Sequence, residues 1–396
     1  MKYWSRLLIL LLVSLLTVGL AVGCGGGGDQ QGTDDGDGPI KIGVNYELSG
    51  DTATFGSLSR DGAMLAFEEI NAAGGVLGRQ IEPIVRDNRG ILDESMSVAT
   101  KLITEEDILV HLGAATTGCV LAAAPIATQY QIPLVTTSAT HPDVTVDPET
   151  NEVRDYIFRI CFIDPPQAIV GADFAFNDLE VKEAAIYFDN TNDYSKGLAK
   201  EFKEHFEAHG GTIVASEGFG KDDEDFRPTL TSFSQKGAGL IYVPAYYQKV
   251  GKIVSQAREL GIDVPMLGAD GWDAPEVVEI AGSENLNNTF FTNHYSSSDE
   301  SEKVQSFVKA YKEKYGSEPG SFSALGYDAA YLIADAIERA GAADPEAIRE
   351  ALEKTADFDA VTGKLTFDEK HNPIKEIAII EMIDGKQILK TKKAPN

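Results

Sequence analysis

Short apolar runs alternate along the chain with longer stretches in which apolar positions recur every three or four residues. Runs of four to six residues rich in β-branched side chains are typical of buried parallel strands, and the longer stretches are typical of amphipathic helices. From Ile40 onward the alternation predicts an α/β fold with parallel sheets. The first predicted strands are 40–45, 81–86, 108–112, 132–135 and 156–161, with helices at 56–71, 93–105 and 120–130.

The same order of elements begins again near Ala184. Predicted strands follow at 185–188, 212–216, 239–243, 264–267 and 289–294, with helices at 195–209, 225–235 and 248–260. Both copies contain a helix, a Gly-Gly pair and a strand, and Ile132-Pro-Leu-Val parallels Val264-Pro-Met-Leu. The repeat predicts two similar Rossmann-like lobes. Further helices are predicted at 302–315, 323–340 and 345–354, and further strands at 364–367 and 376–381.

We expect the chain to cross between the lobes more than once. Residues 40–160 and 292–380 are assigned to the N-terminal lobe, and residues 161–291 and 381–396 to the C-terminal lobe. Hinge crossovers at these boundaries then join the lobes.

Ligands of open parallel sheets bind beyond the carboxyl ends of the strands, and this rule selects matched loops in the two lobes. The loops are 49–55, 113–118 and 136–140 in the first lobe, and 189–194, 244–247 and 269–272 in the second. The first set offers hydroxyls and backbone amides suited to a carboxylate. The second offers Tyr194, Tyr246, Asp270 and Trp272. We expect Asp270 to pair with an ammonium group of the ligand and the aromatic side chains to surround the rest of the ligand. The pattern predicts a site for an α-amino acid.

Structural interpretations of the same residues stay open. Serine and threonine commonly cap helices and fill turns, and Asp270 before Gly271 suits a turn as well. Tyr194 and Tyr246 also fit ordinary rim positions, and Trp272 also fits a hydrophobic core.

The N-terminus has the three regions of an export signal. Lys2 and Arg6 precede an apolar run at 7–22, and Cys24 directly follows small residues. We therefore expect a lipoprotein signal peptide at 1–23, lipidation of Cys24, and a Gly- and Asp-rich flexible linker at 24–39. The alternative is an ordinary signal peptide with a fortuitous cysteine. Either way the location is extracytoplasmic, and the predicted membrane attachment is a lipid anchor only.

Composition and motifs exclude several functions. A formal net charge of −28 over 396 residues argues against a nucleic-acid partner. The sequence contains no G-x-S-x-G elbow, P-loop or G-x-G-x-x-G, so neither an enzyme nor a bound cofactor is expected. His205 and His209 stand one helical turn apart, but no partner ligand is evident, and we expect a solvated helix face without metal. Cys119 and Cys161 are either disulfide-bonded or buried as thiols.

Several motifs resemble those of the leucine/isoleucine/valine-binding proteins of ABC importers over residues 40–386. They are Ser49-Gly50, Phe55-Gly56, Ile70-Asn-Ala-Ala-Gly-Gly75, His111-Leu112, Ile126-Ala-Thr-Gln-Tyr-Gln-Ile-Pro133, Asp193-Tyr-Ser-Lys-Gly197, Gln256-Ala-Arg258, Gly268-Ala-Asp-Gly-Trp272 and Leu365-Thr-Phe-Asp-Glu369. The resemblance implies a type I periplasmic-binding-protein (Venus-flytrap) fold and a monomer that delivers an amino acid to permease subunits. It further implies hinges near Cys161, Phe291 and Ile380.

The resemblance also implies roles for individual residues. Thr140 matches the threonine that holds the ligand carboxylate, and Ser138 matches the family's adjacent backbone carbonyl, while Ala114 stands where the family has a serine for the carboxylate. That hydroxyl is lost unless Thr116 or Thr117 replaces it. The remaining matches are the ammonium partner Asp270 and the cleft aromatics Phe55, Tyr194 and Tyr246. Branched-chain binders have Glu at the position of Asp270, so this departure and the bulk of Trp272 leave the side-chain specificity open.

Two other functions fit the same lobes. The ligand is alternatively an amide, a urea-like compound or an aromatic acid, or the protein acts as a ligand sensor. A secreted enzyme would depend on Thr116, Thr117 or Asp270, and we regard it as the weakest interpretation.

Overall fold

The computed structural model describes residues 38–394. The predicted signal peptide, Cys24 and all but the end of the linker lie outside this range. No helix within it is long and apolar enough to cross a bilayer.

The first lobe is built on a five-stranded parallel sheet. Its elements are β1 (Ile40–Tyr46), α1 (Ala53–Ala72), β2 (Ile81–Asp87), α2 (Leu92–Thr104), β3 (Val110–Gly113), α3 (Thr117–Gln129), β4 (Leu134–Thr136) and β5 (Ile157–Arg159). The strand order is β2-β1-β3-β4-β5. Fully buried apolar side chains on β1 and β3, such as Val44 and Leu112, explain the continuous apolar runs of the sequence.

The second lobe contains a seven-stranded mixed sheet. After the crossover come α4 (Asp164–Asp173), β6 (Glu183–Asp189), α5 (Asp193–Ala208), β7 (Thr212–Phe219), α6 (Arg227–Gln235), β8 (Leu240–Tyr242), α7 (Tyr247–Glu259), β9 (Met266–Gly268), α8 (Glu276–Ala281) and β10 (Thr289–Asn293). The chain then forms α9 (Glu302–Tyr315), α10 (Ser321–Ala340), α11 (Pro345–Glu353), β11 (Phe358–Ala360), β12 (Gly363–Leu365), β13 (Ile377–Ile383) and β14 (Lys386–Lys393). The sheet order is β14-β13-β10-β9-β8-β6-β7, in which β13 and β14 are antiparallel.

The returning helices pack on the first lobe through glycine. A Cβ at Gly62 of α1 would lie 1.9 Å from the carbonyl oxygen of Ser323, and one at Gly326 of α10 would lie 2.0 Å from that of Ser59. Only glycine permits this approach of α1 to α10. It brings the two helix N-termini together, where the rings of Phe55 and Phe322 stack with centroids 4.3 Å apart.

The predicted α/β fold with two sheets is confirmed, with differences at element ends. Helices α4 and α8 and strands β11 and β14 were not predicted, and β14 has no buried residue that an apolar pattern could reveal. The predicted lobe boundary at residue 380 falls inside β13, which lies wholly in the second sheet, where Ile380 pairs with Phe291. Cys119 and Cys161 are free, buried thiols.

Candidate ligand-binding site

A narrow cavity lies where the two lobes meet. First-lobe residues Phe55, Ala115, Thr116, Ser138 and Phe322 and second-lobe residues Tyr194, Tyr246, Asp270 and Gly271 line it. Its volume is about 10 Å³, which is room for about one water molecule. An organic ligand therefore enters only when the lobes part.

Asp270 forms the polar end of the cavity on the second lobe. It directly follows the short loop after β9 and is 2% exposed. Its Oδ1 accepts a hydrogen bond from the Tyr194 hydroxyl at 2.8 Å, and its Oδ2 lies 3.1 Å from Nε2 of His294. Burial lowers the pKa of His294, so the imidazole is neutral and donates through Nε2. Among residues 38–394, Asp270 thus has neutral side-chain donors and no lysine or arginine partner.

A second buried acid, Asp164, lies behind Asp270. Burial raises the pKa of Asp164 well above its usual value, and the charge of Asp270 raises it further. Asp164 is the first residue of α4, and its amide donates to the carbonyl oxygen of Thr140 at 3.0 Å. Asp164 was not predicted as a site residue, because no helix was predicted where α4 begins and nothing in the sequence places Asp164 near Asp270.

On the first lobe, the predicted anion-binding amides already hold an anion from the chain itself. Glu47 is fully buried; its Oε1 accepts from the Thr116 amide at 3.0 Å and from the Thr116 hydroxyl at 2.7 Å. Its Oε2 accepts from the Ala115 amide at 3.1 Å. These donors stand at the N-terminus of α3, where the helix dipole favours a negative charge. The expectation that they are free for a ligand is therefore corrected, and Glu47 is a residue that the sequence analysis missed.

The loop after β4 forms a second polar surface on the first lobe. The Ser138 hydroxyl donates to the carbonyl oxygen of Ala115 at 2.8 Å, and Thr140 Oγ1 is buried without a hydrogen-bond partner in the described chain. Behind the loop, the buried guanidinium of Arg159 donates to the carbonyl oxygens of Ala139 at 2.7 Å and His141 at 3.0 Å. Arg159 places a positive charge behind this loop.

Aromatic rings close the remaining sides of the cavity. Phe55 contacts Tyr246 edge to face with centroids 5.3 Å apart, and Tyr246 stacks on Tyr194 at 5.1 Å. At the rim, Tyr247 and Gln248 of α7 donate to the carbonyl oxygen of Asp51 at 3.1 Å and 2.7 Å. Contacts between the lobes therefore surround the cavity.

Four of the ten predicted site residues lie outside the cavity lining. Ala114 is buried with its carbonyl oxygen bonded to Thr136, and Thr117 is the buried first residue of α3. Thr140 lies at the crossover to α4. Trp272, expected to wall the ligand, belongs to the core instead, because its indole N–H donates to the carbonyl oxygen of Val243 at 2.8 Å and its ring stacks near Phe291.

A larger cavity of about 500 Å³ lies beside the crossovers. His294, Tyr295, Thr362 and Lys375 are among its lining residues, and it shares no residue with the lining of the narrow cavity. His294 connects the two regions, because its ring contacts Asp270 through Nε2. Burial lowers the pKa of Lys375 to about 8. The interlobe cavity, with its opposed polar ends, remains the stronger candidate for a ligand site.

Comparison with known proteins adds independent information. A sequence model of the periplasmic binding protein family matches residues 39–387. A leucine-, isoleucine-, valine-, threonine- and alanine-binding protein of Pseudomonas aeruginosa is 31% identical over 335 residues, which are 84% of this chain and 86% of that protein.

Solved structures match over most of the chain. The leucine-binding protein LivK of Thermotoga maritima is 35% identical, covers 90% of this chain and 99% of its own, and has a TM-score of 0.84. The substrate-binding protein LivJ of Streptococcus pneumoniae, in complex with isoleucine, is 39% identical with the same coverage and TM-score. A solute-binding protein of Rhodopseudomonas palustris in complex with 3,4-dihydroxybenzoic acid is 26% identical, covers 90% and 98%, and has a TM-score of 0.79.

Proposed function

Because this chain belongs to the periplasmic binding protein family, we propose that it captures an α-amino acid with an aliphatic side chain between its lobes and delivers it to an ABC importer. Membership makes it an extracytoplasmic solute-binding protein and not an enzyme. We propose in addition the class of ligand, the roles of the cavity residues and a permease as the partner.

The environment of Asp270 is the observation that carries the choice of ligand. Among residues 38–394, no lysine or arginine lines the interlobe cavity, and Glu47 and Asp164 add two more buried carboxyl groups nearby. A buried carboxylate without a positive partner is costly, so a ligand that brings an ammonium group gains both an ion pair and hydrogen bonds. This supports a ligand with an amino group.

The carboxylate and side chain of the ligand have matching surfaces. We assign the carboxylate to the Ser138–Thr140 loop, where Ser138 lines the cavity and Arg159 supplies positive charge from behind. Phe55, Phe322 and Tyr246 offer apolar walls to an aliphatic group. The relatives support the same class, because they are named for binding leucine, isoleucine, valine, threonine and alanine, for binding leucine, or were solved with isoleucine.

Capture requires motion of the lobes. We propose that they swing at the crossovers near Cys161, Phe291 and Ile380. The ligand then stabilises the closed form by the difference between its affinities for the closed and the open form. The rim contacts of Tyr247 and Gln248 with Asp51 form on closure. We further propose that lipidated Cys24, followed by the flexible linker, tethers the lobes near the permease.

An aromatic acid is the second candidate, because a relative was solved with 3,4-dihydroxybenzoic acid. Such a ligand has no positive group, and it would place its own charge in a cavity that already contains Asp270. The arrangement therefore favours the amino acid.

A stability panel tests the proposal. Residues 25–396 are unfolded and refolded to remove carried-over ligand, and melting temperatures are measured with each of the twenty amino acids. The same panel includes three analogues. Isovalerate lacks the ammonium group, isoamylamine lacks the carboxylate, and benzoate lacks both the ammonium group and an aliphatic chain. A ligand at 100 times its Kd stabilises the fold by about 2.7 kcal/mol, so aliphatic amino acids should raise the melting temperature by several degrees. A rise with benzoate or isovalerate and none with amino acids would overturn the assignment.

A further inference from the structure

A histidine pair in the second lobe acquires a third partner in the fold. His205 and His209 stand one turn apart at the end of α5, and Asp173 is the last residue of α4. Asp173 Oδ1 lies 3.3 Å from Nε2 of His205 and 3.0 Å from Nε2 of His209. One ligand atom from each of the three residues lies within 4.8 Å of the other two. The spacing of the histidines is visible in the sequence, but Asp173 is 32 residues before His205.

The orientation of His209 is fixed by a hydrogen bond to the backbone. Its Nδ1 lies 2.9 Å from the carbonyl oxygen of His205, an acceptor, so Nδ1 carries a proton and donates. In the neutral ring Nε2 then bears the lone pair, and Nε2 is the atom that points at Asp173. Metal-ligating histidines commonly donate their other ring N–H to a backbone carbonyl oxygen in this way, which fixes the ring.

The arrangement calls for a positive charge between the three side chains. A lone pair on Nε2 of His209 repels the Asp173 carboxylate oxygen 3.0 Å away, and a cation between the two atoms removes this repulsion. Tetrahedral zinc with ligand bonds of about 2.0–2.1 Å separates its ligand atoms by roughly 3.3 Å, close to the two distances from Asp173 Oδ1. The third pair of ligand atoms, the two imidazole nitrogens, lies within 4.8 Å and closes around such an ion by rotation of the side chains.

We propose that Asp173, His205 and His209 form a binding site for a divalent transition-metal ion of the zinc class. Two imidazole nitrogens and one carboxylate oxygen suit Zn²⁺, Ni²⁺ or Cu²⁺ better than Ca²⁺ or Mg²⁺, which prefer all-oxygen sets. The side chains are 18%, 29% and 34% exposed, so an ion reaches them from solvent and water completes its coordination. The site ties the end of α4 to the end of α5.

The site is separate from the interlobe cavity. None of its three residues lines that cavity, although α5 carries Tyr194 in its first turn. Metal binding should consequently stabilise the second lobe while leaving the identity of the captured solute unchanged.

Zinc titration of the full mature chain, freed of metal with a chelator, tests the proposal at pH 7.5. Calorimetry should show one Zn²⁺ per chain and a higher melting temperature with zinc. His205→Ala, His209→Ala and Asp173→Asn should each weaken zinc binding by on the order of tenfold to 100-fold or more, because a three-ligand site depends on every ligand. His141→Ala is the matched control, since His141 lies beside Asp143 without a third ligand among residues 38–394, and the variant should bind zinc like the wild type.

Two results would overturn this proposal. One is absence of zinc binding by the wild-type chain, and the other is equal zinc affinity in wild type and the three variants. Melting in metal-free buffer shows whether each variant is folded, and Asp173→Asn keeps the shape of the side chain. Amino-acid binding measured on the same samples separates failure here from failure of the proposed function.

Discussion

The Tyr194 hydroxyl holds Asp270 in place from two directions. It donates to Oδ1 of Asp270 over 2.8 Å and accepts from the amide of Gly271 over 2.9 Å. Tyr194 and Asp270 are both 2% exposed, so water does not compete for these bonds. A residue in the first turn of α5 thus orients the carboxylate that follows β9.

Replacing Tyr194 with phenylalanine should weaken amino-acid binding by about tenfold. The substitution removes one hydrogen bond to Asp270 and leaves the Gly271 amide without its acceptor, a loss of about 1–2 kcal/mol. Calorimetric titration with the preferred amino acid measures the change. Tyr130→Phe, at the exposed C-terminal end of α3, is the control and should bind like wild type. Equal or tighter binding by Tyr194→Phe would show that the hydroxyl does not prepare Asp270 for the ligand.

Replacing Glu47 with glutamine should destabilise the fold by about 1–3 kcal/mol. Both oxygens of Glu47 accept from buried donors, whereas the glutamine amide has one acceptor and turns an NH₂ group toward a donor. Urea unfolding followed by circular dichroism gives the free energy of unfolding. Glu82→Gln is the control, because it removes the same charge from an exposed side chain on β2. A change in Glu47→Gln no larger than in this control would contradict the capping role.

The lobes and six of the nine residues that line the interlobe cavity were predictable, because their signals are local. Apolar runs mark the strands, and the rule that ligands bind beyond strand ends selected Thr116, Tyr194, Tyr246 and Asp270, which line the cavity. The rule says nothing about which way a side chain turns after a strand. Trp272 therefore looked like a cavity wall, although it packs into the core two residues after Asp270.

The rest of the site depends on contacts between distant segments. Glu47 reaches donors 68 and 69 residues away, and His294 reaches Asp270 across 24 residues. Arg159 looked like part of a strand, and its position behind the Ser138–Thr140 loop follows only from the pairing of β4 with β5. No periodicity in a single sequence records such contacts.

His111 should make the fold less stable in mild acid. It is fully buried on β3, where its Nε2 lies 3.2 Å from the side-chain amide of Asn45, and burial lowers its pKa from 6.5 to about 4. Between these values the unfolded chain binds more protons, so stability is lost as the pH falls from 6.5 towards 4. At 1.36 kcal/mol per pKa unit the full loss is about 3 kcal/mol.

The comparison with His111→Gln isolates this contribution from that of other acid-sensitive groups, His294 among them. Glutamine keeps an acceptor for Asn45 and does not titrate. Free energies of unfolding are measured at intervals from pH 7 to pH 4.5, and wild type should lose about 2–3 kcal/mol more than the variant. If the free energies of unfolding of wild type and variant fall in parallel, the pKa of His111 is not lowered in the folded state, and this prediction is wrong.

Asp270→Asn tests the central claim that a buried carboxylate selects an amino group. The aliphatic amino acid that stabilises wild type most is titrated calorimetrically into both proteins. Removing the charged partner of a buried ammonium costs about 2–5 kcal/mol, so affinity should fall by about 30-fold or more. The ligand-free variant should stay folded, because the loss of an unpaired buried charge offsets the cost of turning the asparagine NH₂ toward the donor of Tyr194 or His294. Undiminished affinity in a folded Asp270→Asn protein would contradict the account.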